Sequence, residues 1–247
     1  MRTNLIWLLA AFRLEKKALE KALKIVNEQK GTAHKNIEVK STGVGIKKSR
    51  RTLEKYLERQ KPDFVMITGI AGAVHPDLKV GDIVFPKKVC LVDNSDKIQK
   101  ILDIEKLYGT KFRERLENNN RVYTAPILAT VMRAYHAEDK DSLRRSNPDI
   151  YAVDMESYSL VEVLTKNKIP FVFFRVISDS YSMKFPKDAF IVAVSRSKGI
   201  KRILLLFYHP LSLFRLIVII PAMLKALHKL TECSVEFISS VVRPKAE

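Results

Sequence analysis

Residues 151–180 read YAVDMESYSLVEVLTKNKIPFVFFRVISDS. Asp154 and Glu156 open a helix that Lys166, Asn167, Lys168 and Pro170 bring to an end. Phe171 to Ile177 is then a nearly continuous apolar run, the pattern of a strand covered on both faces. Ser178 and Asp179 fall at the carboxyl end of that strand. In open α/β sheets ligands bind at such ends, because the departing loops form a crevice rather than a packed face. The helix is long enough to return the chain and bring Glu156 and Asp179 to one crevice.

The rest of the chain is compatible with a single domain of this kind. With 247 residues, 47% of them hydrophobic, a core of ordinary size can be buried. The two cysteines, Cys90 and Cys233, are far apart and suggest no disulfide framework. The five histidines form no zinc motif, so no metal or cofactor is expected. The formal charge is +17, which implies attraction to an anionic surface without saying which one. No basic motif interleaved with aromatics accompanies it, and no nucleic-acid partner is expected.

Asn4 to Phe12 is an apolar run leading directly into LEKKALEKALKIV, whose apolar residues recur at helical spacing. We read strand, tight turn and helix. A secretory signal would place positive charge before the run and a cleavage site after it, so a cytoplasmic protein is expected. Glu15 follows this first strand. It is either a ligand at a strand end or a carboxylate complementing a helix N-terminus.

Ile37 to Ser41 predicts a strand, and a Gly-x-Gly turn then opens a helix, where backbone can approach an anion or a sugar. Asp63 to Thr68 predicts another strand, followed by a loop containing Gly69, Ala71 and Gly72, and Asp82 to Phe85 a further one. Repeated strand, small-residue loop and helix units imply a three-layer α/β/α sandwich around a mixed central sheet. Lys97 to Leu107 reads as a helix, Asn118 to Asn120 as a turn and Ala125 to Ala134 as a strand. The charges of HAEDKDSLRRSNPDI fit a solvated helix and loop.

TGIAGAVHPDLKVGDIV, YAVDMES and FRVISDS in this order resemble the nucleoside phosphorylase and nucleosidase superfamily. The likeness is strongest to its 5′-methylthioadenosine/S-adenosylhomocysteine nucleosidase branch. It runs from about residue 4 to about residue 200 and is poor over 86–124. TVMRAYHAEDKDSLRRSNPDIYAVDMES is also similar to hopanoid-associated members, implicated in removing adenine from adenosylhopane. The resemblance implies a phosphorylase/hydrolase-like catalytic unit over 1–205 with an apolar, basic helical extension over 206–247. It implies a small-molecule nucleoside substrate and a homo-oligomer.

Cleaving a ribose N-glycosidic bond passes through an oxocarbenium-like sugar, so the purine must be neutralised, the ribose held and a nucleophile delivered. The resemblance gives Asp179 the protonation of the purine, either held protonated or sharing a proton in a low-dielectric setting. Glu156 would accept the ribose hydroxyls, and Glu15 would activate water. Met155 would pack on ribose or base, and Ala71 and Gly72 would bring backbone to the purine. Phe12 and Tyr135 would be aromatic walls. Ser178 and Arg175 would orient Asp179, the alternative for Arg175 being a different carboxylate partner.

Phosphorylases of the superfamily usually carry a phosphate-clamping Arg before the small-residue loop, whereas PDFVMITGIAG has none. Hydrolysis is favoured over phosphorolysis, with Lys47, Lys48 and Arg50 as the remaining candidates for phosphate. Ile70 stands where the nucleosidase branch typically has Ser, which makes a bulkier or more apolar substrate plausible.

Residues 203–222 are apolar but interrupted by His209 and Arg215, too short a clear run for a membrane span. The stretch 211–230, with Lys201, Arg202, Arg215, Lys225 and Lys229 before and within it, either lies peripherally in the inner membrane interface or docks on protein. A non-catalytic protein binding anionic lipid or nucleic acid is the remaining class, and its affinity would fall steeply with salt.

Overall fold

The computed structural model describes residues 4–105, 110–118, 121–184 and 210–242. Ile6–Ala10 (β1) is apolar at every position because both of its faces are covered. Ile6, Leu8 and Ala10 pack with Ala18, Leu19, Ala22 and Val26 of helix α1 (Arg13–Lys30). Trp7 and Leu9 face the opposite cluster. That cluster takes Leu53 and Leu57 from α2 (Ile46–Arg59) and Leu160, Val161 and Leu164 from α5 (Ser157–Lys166). Side chains alternating across the pleat thus bind helices on both sides.

Beside β1 lie β2 (Ile37–Ser41) and β3 (Phe64–Ile67), and β9 (Phe171–Phe173) completes a parallel sheet in the order β2-β1-β3-β9. Two of these strands do not stop at the sheet edge. After Thr68 and Gly69, β3 is followed by β4 (Ile70–Ala73), and after Phe174, β9 is followed by β10 (Arg175–Asp179). The apolar run predicted as one strand is therefore two, broken at Phe174. β4 and β10 remain parallel partners in a second sheet with β5 (Ile83–Val92), β6 (Ile98–Asp103), β7 (Val122–Thr130) and β8 (Ile150–Asp154). Its order is β10-β4-β8-β7-β5-β6, and β10 also pairs antiparallel with β5, so five strands close into a ring. The fold is mixed α/β, with parallel and antiparallel ladders in the second sheet.

Two further expectations from sequence need correction. The helix expected over Lys97 to Leu107 is the strand β6, paired antiparallel with β5 through Cys90 and Ile101. Its side chains are mostly exposed, so no apolar face recorded the strand period; the partner is an unexpectedly long β5. The strand expected over Ala125 to Ala134 runs instead from Val122 to Thr130. Of the turn at Asn118 to Asn120, the last two residues lie outside the described residues.

Thr110–Glu117 forms α3 and Ala137–Ser146 forms α4. The last helix, α6 (Pro210–Val241), contains Pro221. Its C-terminal half buries Ala226, Leu230, Cys233, Phe237 and Ile238 in the cluster that holds α1. The Thr231 hydroxyl donates to Leu227 O within the helix at 3.0 Å. This half is docked on protein, whereas Ile217, Val218, Ile220 and Leu224 are exposed. Lys201, Arg202 and His209 lie outside the described residues, and no described helix is long and apolar enough to cross a membrane.

Leu230 is fully buried between α6 and α1. Leu230→Ala should lower stability by ~2–5 kcal/mol through lost burial and the cavity left behind. A thermal melt should show a midpoint lower by at least about 4 °C.

Candidate active site

Where the tandem strands pass from one sheet to the other, a cavity of about 250 Å³ opens. Phe12, Glu15, Ala71, Gly72, Tyr135, Met155, Glu156, Ser178 and Asp179 all line it. Residues from five separate segments of the sequence thus share one wall. Arg175, also singled out from sequence, does not line it.

Glu15 sits in the first turn of α1 and is buried. Its Oε2 accepts the N–H groups of Ala11 (2.8 Å) and Phe12 (3.2 Å), and its Oε1 accepts that of Ile70 (2.8 Å). The two readings of Glu15 are both present: it closes its own helix N-terminus and it faces the cavity. Burial raises its pKa, opposed by the nearby Arg175 charge and by the three backbone donors. Gly69 permits this arrangement. A Cβ there would collide with Glu15 Oε1 and stand 2.9 Å from an Arg175 guanidinium nitrogen.

Glu156 precedes α5, and its Oε1 accepts the Gly45 N–H at 2.8 Å. Gly45 has φ 91°, a conformation that L side chains rarely adopt. The Gly-x-Gly turn therefore does approach an anion, but the anion is the protein's own carboxylate. Burial, then the charge of Asp154, push Glu156 up to about 7.

Asp154 organises the turn behind Glu156. Its Oδ1 accepts the Thr130 hydroxyl (3.0 Å) and the N–H groups of Glu156 (3.3 Å) and Ser157 (3.2 Å). Its Oδ2 receives Arg175 Nε at 2.9 Å and Nη2 at 2.8 Å, and the Ser157 hydroxyl. Arg175 also donates to Ser157 Oγ at 2.8 Å. The expectation that Arg175 orients Asp179 is thus corrected: a second buried carboxylate, Asp154, takes its guanidinium, and only Ser178 remains in that role. Ser178 Oγ lies 2.7 Å from Asp179 Oδ1 and 3.2 Å from Ala71 O.

The other oxygen of Asp179 is held by a residue that sequence reasoning passed over. Lys140 of α4 forms an ion pair with Asp179 Oδ2 and donates to Ser180 O at 3.1 Å. Its side chain is only 1% exposed, although the segment around it was expected to be solvated. The neighbouring charges obey that expectation. Asp141 pairs with Arg145 on the exposed face, and Asp139 with Arg133. The only available signal was the spacing of Lys140 and Leu143, which places both on the inward side of α4.

At the rim, Arg133 lies over the Tyr135 ring at 5.2 Å, and the Tyr135 hydroxyl donates to Asp96 at 2.8 Å. Arg50, a phosphate candidate from sequence, pairs with Glu162 away from the cavity. Among the described residues no cluster of His, Cys, Asp and Glu is arranged to hold a metal ion.

A mixed α/β frame with buried carboxylates and apolar walls around one cavity defines a protein built for a small polar ligand with an apolar part. The chain belongs to the phosphorylase superfamily, whose family model matches residues 15–205. A 5′-methylthioadenosine/S-adenosylhomocysteine nucleosidase of Anoxybacillus flavithermus is 31% identical over 158 residues, covering 58% of this chain and 68% of its own length. One from Buchnera aphidicola subsp. Acyrthosiphon pisum is 26% identical over 166 residues, covering 60% and 71%.

Among solved structures, a 5′-methylthioadenosine/S-adenosylhomocysteine nucleosidase of Borrelia burgdorferi bound to adenine, described as putative, matches with TM-score 0.68 and 17% identity. That match covers 95% of this chain and 99% of the other. The Neisseria meningitidis nucleosidase in complex with methylthio-immucillin-A matches with TM-score 0.65 and 15% identity, covering 97% and 99%. These structures share the fold.

The elevated Glu156 makes a stability prediction. A carboxyl whose folded pKa lies near 7 rather than 4.5 keeps its proton in the fold after the unfolded chain has lost it. Its contribution is therefore most favourable below about pH 4.5 and is lost as the pH rises through about 7. Glu156→Gln keeps an acceptor for Gly45 and removes the charge. It should raise stability at pH 8 by up to ~3 kcal/mol, at about 1.4 kcal/mol per pKa unit. The gain should shrink towards zero near pH 4.5 when melts are recorded across pH.

Proposed function

We propose that this chain is a purine nucleosidase that hydrolyses the N-glycosidic bond of a 5′-substituted adenosine and releases adenine. The observation that carries the proposal is the convergence of Glu15, Glu156 and Asp179 on one cavity, each buried and each held by a different partner. The likeness to 5′-methylthioadenosine/S-adenosylhomocysteine nucleosidases supports the same reading. On the three-layer α/β/α frame expected for the superfamily, residues 1–205 would form the catalytic unit and 206–247 the extension.

In this mechanism Glu156 accepts hydrogen bonds from the ribose hydroxyls, which also favours positive charge developing on the ring. Glu15 takes a proton from the attacking water, and its three backbone donors fix the carboxylate while it does so. Asp179 delivers a proton to the departing purine, and Ser178 orients it. Ala71 and Gly72 let the base approach the backbone; a Cβ on Gly72 would stand 2.9 Å from Asp179 Oδ2. Phe12, Tyr135 and Met155 supply apolar contact.

Water rather than phosphate as nucleophile is supported by the cavity's cations. Arg133 is engaged bidentately by Asp139 and Lys140 by Asp179. A lipid-linked adenosyl group such as that of adenosylhopane fits as substrate because Ile70, Phe12 and the half-exposed Val44 line the cavity and offer apolar surface to a 5′ substituent. Exposed Ile217, Val218, Ile220 and Leu224 on α6, with the net charge of +17, fit peripheral contact with an anionic membrane. Homo-oligomerisation completes the proposal and is tested by light scattering.

Incubation with methylthioadenosine, adenosine or an adenosyl lipid should release adenine at a rate indifferent to phosphate. Strict phosphate dependence with ribose 1-phosphate as product would replace this reading with phosphorolysis. Glu15→Gln should lower kcat by at least ~10²-fold while substrate still binds; unchanged turnover would remove the water-activating role. Because Glu156 accepts the ribose hydroxyls more strongly as a carboxylate than as a carboxylic acid, kcat/KM should climb with pH up to about 7 and then level.

A further inference from the structure

We infer that Lys140 is the store of the proton that Asp179 hands to the departing base, an inference that rests on the nucleosidase reading. The observations are geometric. Lys140 and Arg175 are the two buried cations among the described residues, and Lys140 lies on an otherwise solvated helix. Removing an ammonium from water is unfavourable unless a charge receives it, and here Asp179 at the cavity wall does so. In an ion pair the proton resides on nitrogen. Asp179 beside Lys140 is then a carboxylate with no proton of its own to give.

The pair can nevertheless act as an acid. Transfer of one proton from Lys140 Nζ to Asp179 converts ammonium and carboxylate into amine and carboxylic acid without changing the net charge of the pair. Ser178 accommodates both forms. Its hydroxyl donates to Asp179 Oδ1 in either form, since a proton from Lys140 arrives at Oδ2 and leaves Oδ1 an acceptor.

As the bond from C1′ to the purine breaks, its electron pair stays with the base, and the base takes the proton from Asp179. The water oxygen bonds to C1′ and releases its proton to Glu15. The turnover leaves Lys140 as an amine, Asp179 as a carboxylate and Glu15 protonated. Solvent exchange during product release returns one proton to Lys140 and removes one from Glu15.

Two substrates separate this role from a structural one. Methylthioadenosine needs its leaving group protonated, whereas 4-nitrophenyl ribofuranoside expels a nitrophenolate that leaves without a proton. Lys140→Arg should lower kcat on methylthioadenosine by ~10²–10⁴-fold and leave the nitrophenyl riboside little changed. Lys140→Arg keeps the positive charge and the ion pair, but a guanidinium does not release its proton in proteins. Equal losses on both substrates, or recovery of methylthioadenosine turnover in Lys140→Arg, would overturn the inference.

Lys140→Met leaves Asp179 buried without its cation, so melts accompany the kinetics. The double variant K140M/D179N removes both charges and keeps the test available if the single variant does not fold. It should be no slower than Asp179→Asn alone, since Lys140 acts only through Asp179. A further drop in the double variant would count against the inference. The underlying nucleosidase reading is judged separately, on whether the unmodified protein releases adenine.

Discussion

Among the described residues, four carboxylates and two cations are buried around one cavity, and the mismatch between those numbers governs the site. Asp154 takes Arg175 and Asp179 takes Lys140, each through a direct ion pair. Glu15 and Glu156 are left with backbone N–H donors. Such donors stabilise a carboxylate but bring no full charge, so burial prevails and both groups are raised above the ordinary range. The pairing divides four chemically similar residues into two that are charge-compensated and two whose carboxyls burial raises. Perturbed carboxylates of this kind mark sites of chemistry more often than of stability, because each one weakens the fold that holds it.

The frame that tolerates this is a pair of parallel strands that change sheets together. β3 and β9 belong to the parallel sheet, while β4 and β10 belong to the ring. At the crossing the Ile70 N–H donates to Glu15 Oε1, while those of Phe174 and Val176 bond the carbonyls of Ile67 and Gly69. The crossing also explains the small residues. Side chains at Gly69 or Gly72 would occupy the space of Glu15, Arg175 or Asp179, so backbone and carboxylates approach as closely as they do because nothing stands between them.

Much of this was legible in the residues. The apolar runs of β1 and β9, the helix over Ser157–Lys166 and the strand-end position of Asp179 follow from periodicity and chain breakers. Nine of the ten residues singled out from sequence line the cavity. What escaped depended on pairing across long separations, which periodicity does not record. Arg175 was given to Asp179 with another carboxylate as the alternative, and the alternative holds, since Asp154 takes its guanidinium. Lys140 was read with its charged neighbours as solvated, because a single inward lysine on a helix with exposed ion pairs leaves almost no pattern. β6 escaped for a related reason: an exposed strand is specified by its partner, not by its own side chains.

The same charge distribution bears on the choice of nucleophile. A phosphate would bring at least one further negative charge into a cavity where burial already opposes the ionisation of Glu15 and Glu156. Of the described cations that line the cavity, Arg133 is held by Asp139 and Lys140 by Asp179, and drawing either away would expose another carboxylate. Water imposes no such demand. In the proposed reaction it arrives neutral, gives its proton to a carboxylate whose raised pKa suits it to receive one, and leaves the ion pair at Asp179 to serve the departing base. On the proposed reading, the arrangement that makes the carboxylates costly to bury also favours water over phosphate at this site.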